Sequence, residues 1–236
     1  MAQNSPLSPA DLAAIEAAVR QAETRTTGEI YCVVGEESSH YIETPLAWAA
    51  GVALLAPAIL LLGGVHVSAP ELFGGWTAAQ VGEAAQAAVR RALLGDILLQ
   101  AALFAVVGVL VALRPLRLAL TPRAVKRHTV RRRAAELFVS KNLHATRERT
   151  GVLIFVSLGE RMAELMADEG IAAHVEPHVW DRAVAALTER LKRGEPGAGF
   201  AAAVGLCGEV LAERFPADPG DNPNQLPDAV VVLPRH

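Results

Sequence analysis

Cysteine is scarce in this chain. Of 236 residues only Cys32 and Cys207 carry thiols, far apart and in no Cys-x-x-Cys pair. That argues against a disulfide-framed scaffold and against a thiolate zinc site. Each falls in an apolar run and reads as a buried small hydrophobe; a bridge between them stays open on sequence alone, but two reduced thiols fit a cytosolic domain better. Aromatic residues are few, at 5%, and neither sign of charge prevails: 22 Lys and Arg against 25 Asp and Glu give a net charge of -3. No overall field points to nucleic acid or to acidic substrates. There is no Gly-x-Gly-x-x-Gly, no Gly-x-x-x-x-Gly-Lys-Ser/Thr, no Gly-x-Ser-x-Gly and no His-Glu-x-x-His, so dinucleotide, nucleotide, serine-hydrolase and zinc-protease readings lack support. The opening Met-Ala-Gln-Asn-Ser-Pro lacks a basic secretory n-region, and the first strongly apolar run begins only near residue 46.

What the chain does have is an excess of aliphatic residues. Hydrophobic residues make up 52%, with a mean hydropathy of +0.28, above the needs of an ordinary soluble domain. Much of the excess lies in two runs. Leu46 to Val67 contains no charged residue, and Ile97 to Leu113 contains a single polar one, Gln100. The first has the length of about 20 residues that a helix needs to cross a hydrocarbon core, and the second reaches it by extending back through Ala92-Leu93-Leu94-Gly95. Pro57, which would break a soluble helix, is tolerated in a membrane helix. The connector from Ser68 to Arg91 reads as a loop or a short interfacial helix anchored by Trp76. Flanking charge sets the orientation. Arg114, Arg117, Arg123, Lys126, Arg127, Arg131, Arg132 and Arg133 follow the second run with no acid among them, whereas the connector holds only Arg90 and Arg91 as basic residues. The basic side belongs to the cytoplasm, and two crossings return the N-terminal part there as well. The cluster also suits anionic lipid headgroups. It is a poor nucleic-acid surface, because no aromatic residues are interleaved with the charges.

The remaining sequence predicts an α/β domain. Ser8-Pro9-Ala10-Asp11 is a helix start, with Leu12, Ile15, Val19 and Ala22 at helical spacing to about Thr24. Glu29 to Val34 reads as a strand. Thr121-Pro122 opens a basic helix to about Asn142, with Val125, Ala134, Leu137 and Phe138 as its apolar side. Gly151 to Ser157 is a continuous apolar run, as expected of a strand covered on both faces. Arg161 to Asp168 suits helix or strand equally, and Asp168-Glu169-Gly170 is read as a tight turn. Two helices follow, one with Val175, Val179, Ala183, Leu187 and Leu191 and closed by Gly194, the other with Phe200, Val204, Cys207 and Leu211. The tail from Ala217 reads as irregular, with Ala229 to Leu233 able to return as an edge strand. The predicted organisation is an α/β domain, a small sheet flanked by helices, with a two-helix transmembrane hairpin inserted after the first strand. Its parts are residues 1–45, the hairpin 46–113, residues 114–215, and a tail 216–236.

Several segments carry a family resemblance: Thr27-Gly28-Glu29-Ile30, Arg149-Thr150-Gly151 with the apolar strand after it, Ser157 to Arg161, Ala167 to Ile171, and Trp180. Together they resemble the TPM-domain family, named for thylakoid lumen, photosystem II and modulator-of-levamisole-receptor proteins. The approach Tyr41-Ile-Glu43-Thr-Pro45-Leu46 and the tail Asn224-Gln225-Leu226-Pro227-Asp228 are similar to bacterial membrane forms. The resemblance implies a compact α/β fold and favours a strand for Arg161 to Asp168. It also implies acidic residues near strand ends holding a divalent cation, calcium or magnesium, and a proposed acid phosphatase activity. Many members have Asp-Asn-Gly before the second strand, where this chain has Arg149-Thr150-Gly151.

Phosphate-ester hydrolysis needs a hard cation on carboxylates, or Arg and Lys, to stabilise charge. The acids near predicted strand ends are Glu29, Glu160 and Asp168, with Glu164 as a further possibility, and Arg149 and Arg161 are candidate anion-binding residues. Glu160-Arg161 could equally form a local ion pair. His144, His174 and His178 form the one histidine group worth weighing, but Pro177 leaves His174 outside the helix that would align it with His178. The leading expectation is a non-catalytic, cytoplasmic-facing module in the inner membrane that binds membrane lipid and an unidentified membrane or cytoplasmic protein. The alternative is a membrane-tethered, metal-dependent, phosphatase-like hydrolase. Convergence of Glu29, Glu160 and Asp168 in one pocket would favour the second.

Overall fold

The computed structural model describes residues 7–63, 78–146, 148–217 and 224–234. It divides into two compact units, 1–40 with 123–236, and 41–122. In the first unit, α1 (Pro9–Glu23) begins at a capping box: Ser8 accepts from the Asp11 N–H, and Asp11 accepts from Ser8. The first-turn donors of the helix thereby find partners. Next come β1 (Glu29–Gly35) and, after the second unit, α5 (Arg123–Ser140), β2 (Gly151–Ser157), β3 (Met162–Ala167), the short α6 (Glu169–Ala172), α7 (Asp181–Lys192), α8 (Pro196–Arg214) and β4 (Val231–Val232). The ambiguous stretch after Arg161 is therefore a strand.

The four strands form a mixed sheet in the order β3-β2-β1-β4. β1 and β2 run parallel from Glu29↔Gly151 to Gly35↔Ser157. β3 is antiparallel to β2, and β4 joins the open edge of β1 in parallel. Side chains alternate across β1 and β2. Ile30, Cys32 and Val34 with Val152, Ile154 and Val156 face α1, α7 and α8, where Ile15, Val19, Leu187, Phe200 and Leu211 are buried. Tyr31, Val33, Leu153 and Phe155 face α5 and meet Val130, Ala134 and Leu137. Double coverage explains why both central strands are apolar throughout. Two details of the sequence reading are corrected. Val130, not Val125, supplies the first apolar contact of α5, and Val125 is exposed. Asp168 is not in a tight turn: its carboxylate caps α6 by accepting the Glu169 N–H. Both cysteines are buried and free, and desolvation raises the pKa of each thiol.

The second unit holds α2 (Glu43–Leu62), α3 (Ala78–Ala112) and α4 (Arg114–Leu120). α2 and α3 pack through small residues: Ala49 and Ala53 are buried, and the Ala49 Cβ lies 3.7 Å from where a side chain on Gly108 would begin. The Thr44 and Thr121 hydroxyls bond to each other at 2.9 Å. The candidate spans within these helices are Glu43–Leu60 and Ala85–Ala112. Residues 78–91, expected to belong to a loop or a separate short helix, continue directly into α3. The 35 residues of α3 span about 50 Å at 1.5 Å per residue. Trp76 and the rest of the connector to residue 77, like residues 64–67 of the first apolar run, lie outside the described residues.

Candidate functional site

Strand register fixes where the candidate acids lie. Glu29 opens β1 beside Gly151, and the Asp168 N–H bonds to the Gly151 carbonyl. Both acids are thus at one end of the sheet, two strands apart, or roughly 10 Å between backbones. Glu160 follows β2 at the opposite end. β1 and β2 are seven residues long, which separates the two ends by about 20 Å. The three acids do not converge. The candidate arginines are divided in the same way, with Arg149 beside Asp168 and Arg161 in the turn after Glu160.

Each acid is already engaged. Glu160 is buried and accepts from the Ser38 N–H at 2.9 Å and from the Ser157 hydroxyl, tying the segment after β1 to the β2–β3 turn. Asp168 is 4% exposed. Its Oδ1 accepts from the Glu169 N–H at 2.7 Å and lies 3.4 Å from the Arg149 guanidinium. Its buried Oδ2 has no hydrogen-bond partner among the described residues. Arg149 also pairs with Glu169 at 3.0 Å. It reaches both acids from a left-handed backbone, φ 56°, and its carbonyl lies so close to Gly170 that a Cβ there would meet it at 2.6 Å. The residue that the family resemblance makes an acid is here a cation held between two acids. A hard divalent ion takes six or more oxygen ligands, and an arginine in that place removes a ligand and adds repulsion. The residues around Asp168 do not fit such an ion.

The acids that the fold does gather were not foreseen as a group. Glu29 is buried, and its two oxygens accept the Gln225 and Leu226 N–H groups, each at 3.1 Å. Glu23, at the end of α1, accepts from the Ile30 N–H at 2.9 Å. Asp228 joins them, hydrogen-bonded to Glu23 and 3.4 Å from the Arg20 guanidinium. Asn224 donates to Asp228. Desolvation, with Glu29 and Asp228 adding repulsion, pushes the Glu23 carboxyl up to about 8. The Glu29 carboxyl is raised, chiefly by desolvation. The cluster fastens the C-terminal segment beside β1. Its one sequence signal is the Asn224–Asp228 stretch; Glu23 looked like the polar end of an amphipathic helix. Glu164, on β3, faces Arg131 at 3.9 Å, and desolvation raises its carboxyl. His174 bonds the Gly170 carbonyl and stacks edge-on to Phe215, while His178 pairs with Glu176. No group of three His, Cys, Asp or Glu side chains suited to a metal occurs among the described residues.

The architecture is that of an α/β domain with one mixed four-stranded sheet covered on both faces, and comparison with known proteins assigns it further. Residues 116–210 match the TPM domain, a segment that runs from α4 through α5, β2, β3 and α7 into α8. That segment is similar to the TPM domain, in keeping with the motifs quoted above. The NMR structure of the BA42 protein from the psychrophilic bacterium Bizionia argentinensis is similar in fold, with a TM-score of 0.55 and 18% identity, covering 98% of this chain and 99% of that one. No curated protein matches.

Proposed function

We propose that this protein is a two-pass inner-membrane protein whose TPM domain faces the cytoplasm as a non-catalytic module that binds protein partners, in envelope assembly or quality control. One observation carries the anchorage. Only 11% and 6% of the residues in the two apolar spans are buried, so side chains such as Leu54, Leu55, Ile59, Leu98 and Val109 stand outward. Two helices coated with aliphatic side chains suit lipid far better than water. The acid–amide pair of Asp96 with Gln100, at 3.1 Å, satisfies itself along α3. The absence of catalysis is supported by the separation of Glu160 from Glu29 and Asp168. The test of anchorage is alkaline carbonate extraction of membranes. Retention in the pellet supports the reading, and release into the supernatant sinks it.

A second reading, a membrane-tethered phosphatase-like hydrolase using calcium or magnesium, has in its favour only the buried, unpartnered Oδ2 of Asp168, against which stands the Arg149 cation beside the same carboxylate. Calorimetric titration of calcium, magnesium and manganese separates the two. Micromolar binding that is lost in Asp168→Ala supports the hydrolase. No binding in either protein leaves the partner-binding module.

A further inference from the structure

The sheet has two edges, and the chain treats them differently. Along β1 the outward groups are taken up: the Ile30 N–H donates to Glu23 at 2.9 Å, and the Val34 carbonyl accepts from the Leu233 N–H at 2.8 Å, just past β4. The other edge is β3. Its register with β2 is unbroken from Met162 to Ala167, and in the same register the Asp168 N–H donates to the Gly151 carbonyl at 2.9 Å. In an antiparallel ladder bonded and non-bonded pairs alternate. Met162, Glu164 and Met166 therefore direct their N–H and C=O groups at β2, while Ala163, Leu165 and Ala167 direct theirs away from it. Nothing among the described residues hydrogen-bonds to the outward groups of those three. The whole of β3 is half-buried, whereas the whole of β2 is buried. Natural edges are blunted by proline, lysine, a bulge or a covering segment, and Met-Ala-Glu-Leu-Met-Ala has none of the first three.

We propose that β3 pairs with β3 of a second copy of this chain, antiparallel about a two-fold axis through Leu165, so that one sheet runs through both copies. The sequence of the strand selects this occupant and this register. With Leu165 opposite Leu165, Ala163 lies opposite Ala167 on either side, and each of these pairs exchanges two N–H···O bonds. Every outward group of the strand is then satisfied. Glu164 faces Met166 of the other copy and keeps Arg131 of its own at 3.9 Å. An axis through Glu164 sets two carboxylates directly opposite each other, which is unfavourable, and leaves Ala167 without a strand residue to pair with. An axis through Met166 sets Glu164 against Asp168 and leaves Ala163 unpaired. The contact is isologous, so it closes at two copies. It goes beyond the reading above and does not depend on membrane anchorage.

The experiment uses the full chain in mild detergent. Directly opposed, hydrogen-bonded residues lie about 5.5 Å apart at Cα, within reach of a disulfide. Because Cys32 and Cys207 are buried, a single cysteine introduced on β3 reports the register under mild oxidation. Leu165→Cys is expected to link into dimers. Ala163→Cys alone should not, since its two copies would stand about 14 Å apart along the strands, but Ala163→Cys mixed with Ala167→Cys should. Ala163→Pro removes an outward donor and none of those directed at β2. It should weaken dimerisation about thirtyfold, two hydrogen bonds per dimer being lost, as read by sedimentation over a range of concentrations. A chain that stays monomeric throughout that range overturns the proposal. Linking of Ala163→Cys alone to the same extent as Leu165→Cys also overturns it, since that is the mark of random collision. A dimer whose Leu165→Cys variant does not link places the contact elsewhere, and a dimer as strong in Ala163→Pro as in the wild type does not use these hydrogen bonds; either result overturns it too.

Discussion

Glu23 keeps its proton to about pH 8 because its carboxyl is half-buried against β1 with Glu29 and Asp228 beside it. A protonated Glu23 donates to Asp228, whereas an ionised one repels it. The folded pKa lies above the unfolded value of 4.5, so the folded state binds the extra proton between the two. That contribution to stability is complete below about pH 4.5 and is lost as pH rises through about 8. The melting temperature is therefore expected to fall by several degrees from pH 6 to pH 9, and Glu23→Gln, which keeps the acceptor for Ile30 and gains a permanent donor for Asp228, should flatten that fall. Calorimetric melting of both proteins across this range checks it; parallel curves would refute it. At Asp168 the prediction concerns magnitude. Arg149 is half-exposed, so Arg149→Ala should cost only about 1 kcal/mol. Asp168→Ala, which also removes the α6 cap, should cost about 2 kcal/mol. Chemical denaturation measures both. The Arg149 pairing was not legible in sequence, because it depends on a left-handed backbone at a non-glycine residue. The Glu23–Asp228 contact was hidden for another reason: the two residues are brought together only when the C-terminal segment returns to β1.

At the scale of elements, periodicity carried most of the fold. β1 and β2 announced themselves because two buried faces leave no polar position, and α1, α7 and α8 because one face of each is apolar. α5 was legible as a helix but not in its detail: with so many arginines, its apolar positions are few, and Val125 lies on the outer side while Val130 meets the sheet. β3 is only partly covered, so its alternation was too weak to separate strand from helix without the family resemblance. The turn into β2 has its own test. A Cβ on Gly151 would come within 2.4 Å of the Leu143 carbonyl oxygen, a backbone atom that cannot step aside. Gly151→Ala should therefore destabilise the domain by roughly 2 kcal/mol or more, read as a lower denaturation midpoint with an unchanged slope. An unaltered midpoint would mean that the 3₁₀ turn at Leu143–Ala145 is free to shift.

For the whole molecule, the two readings of α2 and α3 differ in what a charge on their outer faces should do. Leu54 and Val109 are 67% and 68% exposed. On a helix surrounded by water, Leu54→Arg or Val109→Arg would change stability by no more than about 0.5 kcal/mol. In a bilayer centre an arginine costs about 2.5–3.5 kcal/mol, the full penalty applying at Leu54 in the middle of α2 and a smaller one at Val109, three residues from the end of α3. Both variants are expected to be depleted from the membrane fraction and degraded, with immunoblotting of fractionated cells as the measurement. Wild-type abundance of both in the soluble fraction would contradict the membrane assignment. The two apolar runs were the plainest signal in the sequence, since hydrophobicity without periodicity needs no tertiary context to be seen. The acid constellation was the least legible, because strand register decides which end of the sheet a residue occupies.

That register also sets a timetable for synthesis. The partner of Glu29 is Gly151, so β1 leaves the ribosome 122 residues before the strand that first pairs with it. At translation rates of about 5–20 residues per second, the interval is roughly 6–24 s. During it the whole of α2 and α3 is made, while β1 waits with both edges open. The last partner, β4, begins only at Val231, so the sheet cannot close until that segment has also emerged. A nascent chain of this topology has to keep its first strand from pairing elsewhere while its most apolar helices are still being delivered.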